Sequence, residues 1–261
     1  MQRPWVSYDS AAAVHDRLAV PHIFARPARD LAAALEIPVS AKVLDVGAGT
    51  GVAGMEAARA GAWVVALDPS VEMLRLARKN GIHRLAAGIV PGLPFRAGAF
   101  DRVMASFVLT HVGSYQAALA DMLRVLGPGG RLGITAWGPA QDAARQLWQQ
   151  IAESFIGREA LRDAIEQALP WEDHFADAGR LRQALEEAGA TGVRIERHEY
   201  SGTLPAEDFL AIREESGAGR FLRRALEPER WEQFRMTLAR SFAGRVEYAR
   251  DAYLAVAKPG S

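Results

Sequence analysis

Short apolar runs alternate with amphipathic stretches between residues 43 and 137 of the chain. Each run predicts a strand because apolar side chains, many of them β-branched, follow one another and polar or glycine residues end the run. The predicted strands are residues 42–46, 63–67, 101–106 and 132–137. The stretches between them carry apolar side chains at helical spacing. This alternation is typical of a parallel sheet covered by helices.

The pattern changes after residue 137, where helical periodicity dominates. Ranges 138–176 and 204–244 are predicted to be mainly helical, whereas 193–200 and 248–257 predict two further strands. Insertions that follow a sheet strand tend to lie over the ligand crevice at the carboxyl ends of the strands. We therefore interpret the two helical ranges as one unit, the cap. The ranges left for the sheet core are 41–137, 177–203 and 245–258.

Charge and composition exclude several classes of function. Lys and Arg together number 31, as do Asp and Glu, so the formal net charge is zero. A nucleic-acid-binding protein needs a basic face to replace phosphate counterions, and none is indicated. Cysteine is absent, which excludes disulfides and thiolate ligands, and we expect no metal. Without an apolar signal core or a membrane-length apolar run, we expect a cytoplasmic protein, with no preference for an oligomeric state.

A glycine-rich loop is the strongest local signal. Gly47, Gly49 and Gly51 follow a predicted strand and precede a predicted helix, so the backbone can turn tightly and approach a ligand closely. The string from Gly49 to Gly54 also matches the G-x-G-x-x-G fingerprint of dinucleotide-binding proteins. The loop alone therefore indicates a nucleotide-like ligand without selecting its class.

Two aspartates discriminate between the ligand classes. Asp68 ends the second predicted strand, where a carboxylate can accept both hydroxyl groups of a ribose, in NAD as in an adenosyl ligand. Asp45 precedes the glycines, where it would repel a pyrophosphate but attract a cationic sulfonium amino acid. The pair therefore favours a sulfonium ligand. Two plainer roles stay open: Asp45 as a brace for the loop and Asp68 as a helix cap.

Four stretches, taken in order, resemble the motifs of the class I S-adenosylmethionine-dependent methyltransferases. Residues 43–51 (Val-Leu-Asp-Val-Gly-Ala-Gly-Thr-Gly) resemble the first motif and residues 67–74 the second. Residues 93–103 resemble the family's Leu-Pro-Phe and Phe-Asp stretch, and residues 123–132 its Pro-Gly-Gly turn. The small-molecule branch similar to the ubiquinone and menaquinone biosynthesis methyltransferases is the nearest. The resemblance implies a Rossmann-like α/β fold with a seven-stranded, mostly parallel sheet and helices on both faces.

The resemblance also implies the cofactor, S-adenosylmethionine, with S-adenosylhomocysteine as its product. The glycine loop would contact the methionine part, Asp68 would bind the ribose, and Pro69 and Met73 would pack near the adenine. Family members often carry Asp at the position of Ile89, which cannot accept a hydrogen bond from adenine here. The expected cofactor-binding residues are Asp45, Gly47, Ala48, Gly49, Thr50, Gly51, Asp68, Pro69, Met73, Gly88, Ile89, Val90, Ser106 and Phe107.

His111 is the candidate catalytic residue. It follows the fourth predicted strand, where the reacting centre is expected, and its near-neutral reference pKa suits a general base for an acceptor hydroxyl group. The alternative is a histidine that orders the loop, since alignment of acceptor and methyl group supplies much of the rate without a base. Residues 1–40, with Tyr8 and His15, are expected to form a helical lid of the kind found in the family, or else a plain surface helix.

The remaining candidates carry weaker signals. Trp171, His174, His198 and Tyr200 could line an acceptor pocket, but packing roles are favoured. An arginine-rich run, which begins at Arg220 and is interleaved with glutamates, is interpreted as a solvated helix face.

Taken together, the sequence predicts a methyltransferase for a small organic acceptor, most plausibly an oxygen of an aromatic or polyketide-like compound. One alternative is an enzyme of the same fold that keeps the cofactor for a structural purpose, such as a cyclase. Another is a non-catalytic adenosyl-binding or partner-binding protein. An NAD-dependent dehydrogenase is the third, and Asp45 opposes it.

Overall fold

The computed structural model describes residues 7–260, so the first six residues of the predicted lid lie outside the described residues. The strands are β1 (Lys42–Val46), β2 (Trp63–Asp68), β3 (Arg84–Ala87), β4 (Phe100–Ser106), β5 (Leu126–Trp137), β6 (Ala190–Pro205) and β7 (Arg245–Pro259). They form one sheet in the order β3-β2-β1-β4-β5-β7-β6, in which β7 is antiparallel to both of its neighbours and the other pairs are parallel. The predicted α/β fold is confirmed.

Helices cover both faces of the sheet and the carboxyl ends of its strands. They are α1 (Ala12–Val14), α2 (Ala25–Ala34), α3 (Val52–Arg59), α4 (Val71–Lys79), α5 (Tyr115–Arg124), α6 (Ala143–Ile156), α7 (Arg158–Ala168), α8 (Glu172–Phe175), α9 (Ala178–Glu187), α10 (Ala206–Glu214), α11 (Gly217–Ala225) and α12 (Pro228–Ser241). A π-helical stretch, His15–Phe24, joins α1 to α2, and a short 3₁₀ turn, Leu109–His111, follows β4. None of the helices within residues 7–260 has the length and apolar character needed to cross a membrane.

The central strand β1 is buried because both faces of the sheet are covered. Successive side chains of a strand point to opposite faces, so Leu44 packs in the cluster that contains Leu119, and Val43 packs in the cluster that contains Leu31. All four side chains are fully buried. A strand buried on both faces reads as a continuous apolar run, which is why the sequence pattern locates β1 accurately.

The strand pattern is wrong at β3, at the start of β5, which begins at Leu126 instead of residue 132, and at the ends of β6 and β7. Strand β3 was not predicted, because it is short and none of its side chains is fully buried. Strands β6 and β7 run several residues beyond the predicted 193–200 and 248–257. Trp137, the last residue of β5, pairs with Ala252, and the residues of β7 before Ala252 pair with β6 alone. We call this two-stranded extension, residues 199–205 with 245–251, the ribbon.

The two predicted insertions share one hydrophobic cluster. Trp148 of α6, Leu161 of α7, Phe209 of α10 and Phe234 of α12 are all buried in it, and the rings of Trp148 and Phe234 lie 6.1 Å apart. Helices α6 and α7 follow β5, whereas α10 to α12 are carried by the ribbon. The contacts between the two sets make them one packed layer at the carboxyl edge of the sheet.

Candidate active site

The glycine loop between β1 and α3 adopts a conformation that requires glycine. Gly47, Gly49 and Gly51 have φ angles of 62°, 54° and 89°, a left-handed region that other residues rarely adopt. A Cβ atom on Gly47 would lie 2.6 Å from Cγ2 of Val108, so the loop also packs too closely for a side chain. The N–H of Ala48 donates to the carbonyl oxygen of Leu67 (3.0 Å), which fixes the loop against the end of β2.

Asp68 holds the loop and the start of α4 together. Its Oδ2 accepts a hydrogen bond from the N–H of Gly49 (2.9 Å), and its Oδ1 accepts one from the N–H of Ser70 (2.8 Å). The cap of α4 is Ser70, whose Oγ accepts from the N–H of Met73 (3.1 Å), so the alternative role of Asp68 as the capping residue is wrong. Each carboxylate oxygen has a second lone pair, which is available to a ribose hydroxyl group.

Asp45 lies directly beneath the loop. Its Oδ2 accepts from the N–H of Gly54 (2.8 Å) in the first turn of α3, so it braces the loop. Its Oδ1 is closed off from solvent and has no hydrogen-bond partner in the described part of the chain, and the same holds for Oγ1 of Thr50. Burial raises the pKa of Asp45 to about 7. An orphaned carboxylate oxygen beneath a left-handed loop supplies the acceptor and the negative charge that a cationic amino-acid group requires, so these residues fit a sulfonium ligand.

The residues expected near the adenine lie beyond β2 and β3. Met73 is buried and Val90 nearly so, whereas the side chain of Ile89 is 62% exposed. The N–H of Gly88 donates to the carbonyl oxygen of Asp68 (3.2 Å), which places this stretch beside Asp68. Because the side chain of Ile89 is exposed, the backbone of this stretch is left to contact the adenine, and its predicted role stays a prediction.

The N-terminal segment lies across the glycine loop. Asp9 accepts a hydrogen bond from the hydroxyl group of Ser70 (2.6 Å), and Asp16 accepts one from the side-chain amide of Asn80 (2.8 Å). The Nε2 atom of His15 lies 3.6 Å from the place that a Cβ on Gly49 would occupy. Burial lowers the pKa of His15 to about 4, so its imidazole is neutral above the loop.

The ends of β4 and β5 present a stack of aromatic rings. Phe107 follows β4 with φ of 58°, and its N–H donates to Oγ1 of Thr135 (3.1 Å), which also lies 3.2 Å from Oγ of Ser106. The ring of Phe107 stacks on Trp137 with centroids 3.9 Å apart, and Phe24 meets Phe107 at 5.6 Å. These rings form an apolar wall beneath the cap.

His111 lies beside this wall, next to Tyr8. Its side chain is exposed at the rim of the site, and desolvation by the surrounding protein lowers its pKa, although the negative charge of Glu172 opposes the shift. Burial raises the pKa of Tyr8, so its phenol stays protonated. Arg220 lies over the Tyr8 ring, with Cζ 4.8 Å from the ring centroid, and is buried. The prediction of a solvated face is therefore wrong for Arg220, because α11 turns this side chain toward the site.

The four weaker candidates make structural contacts. Trp171 donates from Nε1 to the carbonyl oxygen of Val112 (2.8 Å), and His174 stacks on Tyr115 at 5.0 Å. On the face of the sheet that α2 covers, the hydroxyl group of Tyr200 donates to Oδ2 of Asp30 (2.8 Å), and Nδ1 of His198 lies 3.7 Å from the same oxygen. None of these contacts points to the glycine loop.

Three arginines that were not predicted as site residues lie at this edge, namely Arg145 of α6, Arg213 of α10 and Arg250 of the ribbon. They surround Glu172, whose Oε1 lies 3.8 Å from Nη2 of Arg145 and 3.4 Å from Nη2 of Arg250. The sequence offers one sign of a buried arginine. Arg213 stands four residues after the buried Phe209, so both side chains lie on the same face of α10.

Comparison with known proteins identifies the family. A family model described as a methyltransferase domain matches residues 44–134. A demethylmenaquinone methyltransferase from Mycobacterium sp. (strain JLS) is 37% identical over 176 residues, which cover 64% of this chain and 74% of the relative. A relative of the same name from Mycobacterium bovis is 45% identical over 171 residues, or 62% of this chain and 71% of the relative.

Two solved structures share the fold at low sequence identity. Phosphoethanolamine N-methyltransferase 2 from Haemonchus contortus, in complex with phosphomonomethylethanolamine and S-adenosylhomocysteine, has a TM-score of 0.58 at 14% identity, covering 96% of this chain and 57% of that one. The 4+2 cyclase SpnF has a TM-score of 0.55 at 20% identity, covering 91% of this chain and 82% of that one. From the motifs, the sheet order and the mycobacterial relatives together, it follows that the chain belongs to the class I S-adenosylmethionine-dependent methyltransferases.

Proposed function

We propose that this methyltransferase transfers a methyl group to an oxygen of a small aromatic or polyketide-like acceptor, bound between the cap and the carboxyl edge of the sheet. The observation that carries the proposal is the convergence of aromatic rings on this edge, from Tyr8 and Phe24 in the N-terminal segment and from Phe107 and Trp137 at the strand ends. A wall of aromatic rings suits a planar apolar ligand. The name of the mycobacterial relatives, demethylmenaquinone methyltransferase, also supports an aromatic acceptor.

The cofactor side of the site follows from the residues beneath the glycine loop. Asp68 would bind the ribose hydroxyl groups, and the orphaned oxygen of Asp45 would face the amino-acid part. S-adenosylmethionine supplies a methyl group that is already activated by bonding to a sulfonium sulfur. The protein therefore has to align the acceptor with the methyl group and exclude water, which the N-terminal segment and the cap would do.

The proton of the acceptor hydroxyl group requires a destination. The bound cofactor would supply the methyl group to the acceptor oxygen, and its sulfur would keep the electron pair of the carbon–sulfur bond. His111, neutral because desolvation lowers its pKa, would take the hydroxyl proton. Tyr8 cannot take it, because its raised pKa keeps the phenol protonated near neutral pH.

The proposal is tested with S-adenosylmethionine carrying a ¹³C-labelled methyl group and a panel of phenols, naphthohydroquinones and hydroxyanthraquinones. We expect labelled O-methyl products, recognised by mass spectrometry and by the ¹³C shift of the methyl group. Label on carbon or nitrogen would contradict the assignment of the acceptor atom. If S-adenosylhomocysteine raises the melting temperature but no acceptor is ever labelled, a structural use of the cofactor, as in a cyclase, becomes the better explanation.

A further inference from the structure

Three arginines from separate parts of the chain meet at the contact between the cap and the carboxyl edge of the sheet. Arg145 and Arg213 belong to the cap, and Arg250 belongs to the ribbon. The guanidinium of Arg250 lies over Trp137, with Cζ 3.9 Å from the ring centroid, and that of Arg213 lies over Trp148 at 4.3 Å. We call Arg145, Arg213 and Arg250 the arginine cluster.

The arginine cluster carries more positive charge than the carboxylates around it can neutralise. Glu172 contacts Arg145 and Arg250 at 3.8 and 3.4 Å. Asp142 adds a negative charge near Arg213, but its Oδ1 is engaged in capping α6 through the N–H of Arg145 (2.7 Å). Three guanidinium groups are therefore close to only two carboxylates, and one oxygen of Asp142 already accepts a backbone hydrogen bond.

Several donors of the arginine cluster are orphaned. Nη1 of Arg145, Nε of Arg213 and Nε of Arg250 are closed off from solvent and have no hydrogen-bond partner in residues 7–260. Burial, reinforced by the positive charge of Arg145, lowers the pKa of Arg213 and of Arg250 to about 9, so both stay charged at neutral pH. Buried charged donors without acceptors are costly, and proteins keep them where a ligand supplies the acceptor.

The arginine cluster adjoins the reacting edge. The guanidinium of Arg250 lies over the ring of Trp137, and the same ring stacks on Phe107, the residue that follows β4. The charge of Glu172, held by the cluster, acts on both His111 and Tyr8. A group bound by the cluster would therefore belong to a molecule that also reaches His111.

We propose that the acceptor carries an oxyanion, a carboxylate or a phosphate ester, and that Arg145, Arg213 and Arg250 bind it. Guanidinium groups present planar forks of donors that match such oxyanions, which an ammonium group does not. The inference rests on the proposed function, because it assigns the acceptor of the same reaction. It predicts that hydroxylated aromatic or polyketide-like acids are better acceptors than neutral phenols and quinols.

Matched probes test the charge of the acceptor directly. The protein is saturated with S-adenosylhomocysteine and titrated calorimetrically with 3-hydroxy-2-naphthoate, 2-naphthyl phosphate and the neutral 3-hydroxy-2-naphthamide. We expect one or both anions to bind at least about tenfold more tightly than the amide, as charge-assisted hydrogen bonds require. Which anion is preferred distinguishes a carboxylate from a phosphate acceptor.

Variants then assign the preference to the arginine cluster. Arg213→Gln and Arg250→Gln should each abolish most of the preference for the anion while affinity for S-adenosylhomocysteine is retained. Arg224→Gln is the matched control, because Arg224 is exposed on α11. Arg213→Lys, which keeps the charge but loses the fork, should retain only part of the preference and covers the case in which a glutamine variant fails to fold.

Two results would overturn the inference. One is a wild-type protein that binds S-adenosylhomocysteine but binds the amide as tightly as the anions, or binds neither anion. The other is a folded glutamine variant that keeps the full preference, since the arginines would then serve only to join the cap to the sheet. Failure of the wild-type protein to bind S-adenosylhomocysteine would count against the proposed function instead.

Discussion

The rings of Tyr8 and His111 meet edge to face, with centroids 5.4 Å apart and planes at 88°. Desolvation acts on the two groups in opposite senses, because it lowers the pKa of the imidazole and raises the pKa of the phenol. Both side chains are therefore neutral near pH 7. Of the two, the imidazole is the stronger proton acceptor.

His111→Asn should lower the turnover number by about 10²–10⁴-fold while affinity for the cofactor is unchanged, because asparagine keeps a polar side chain but cannot take a proton. The wild-type rate should be flat near pH 7. Because the pKa of His111 is lowered from its ordinary value of 6.5, the imidazole gains a proton, and the rate falls, only at a pH below that value. The measurement is the pH profile of kcat for both proteins with one acceptor. Near-normal turnover with the same profile in the variant would leave alignment alone as the source of the rate.

Asp68→Ala should weaken binding of S-adenosylhomocysteine at least about tenfold, because it removes the acceptor for Gly49 and the proposed acceptor for the ribose. Asp101→Ala is the matched control. Asp101 also accepts a backbone N–H, that of Lys42 (2.7 Å), but at the opposite edge of the sheet. Titration calorimetry should show full affinity in the control. Equal affinity in both variants would remove Asp68 from the site.

Asp45 should make the ligand-free protein less stable as the pH rises. Its folded pKa, about 7, lies above the ordinary value of 3.8, so the folded state binds the proton more tightly than the unfolded chain does. The contribution of Asp45 is then fully present below pH 3.8 and is lost between about pH 4 and 7, at a slope of up to about 1.4 kcal/mol per pH unit. Urea unfolding of the wild type and of Asp45→Asn at pH 5 and pH 7.5 measures it. Equal changes of unfolding free energy in the two proteins would contradict the assignment.

Trp148→Ala should separate the two halves of the site. The indole is fully buried in the cap, against Phe234 and beneath the guanidinium of Arg213, so its removal opens a cavity that costs about 3–5 kcal/mol. We expect faster amide exchange in α10 to α12 and weaker binding of the acceptor, with cofactor affinity retained. Loss of cofactor affinity would show that the cap and the glycine loop are coupled.

The sequence predicted those parts of the site that are formed by neighbouring residues. The glycine loop and Asp68 are recognisable because each stands at the end of a buried strand, where a turn must follow and its chemistry is local. The seven-stranded, mostly parallel sheet follows from the resemblance to the family, and the structure confirms it. Strand β3 was not predicted because an edge strand with half-exposed side chains does not form an apolar run in the sequence.

The arginine cluster could not be predicted for a different reason. Arg145, Arg213 and Arg250 lie in separate elements, and each stands in a segment that also exposes charged residues. Only the folding of the cap onto the ribbon brings them around Glu172. Arg220 was assigned to solvent on the same grounds, since charge interleaving along a helix does not indicate which side the next layer covers.

The ribbon makes part of the cap separable from the catalytic core. Pro205 and Arg245, which flank the segment from α10 to α12, are register partners in β6 and β7. A chain in which this segment is exchanged for one of another length would re-enter the sheet at the same point. We therefore expect that a foreign segment can be grafted between these two residues, provided that it covers the apolar faces of α6 and α7, while the glycine loop and Asp68 stay untouched.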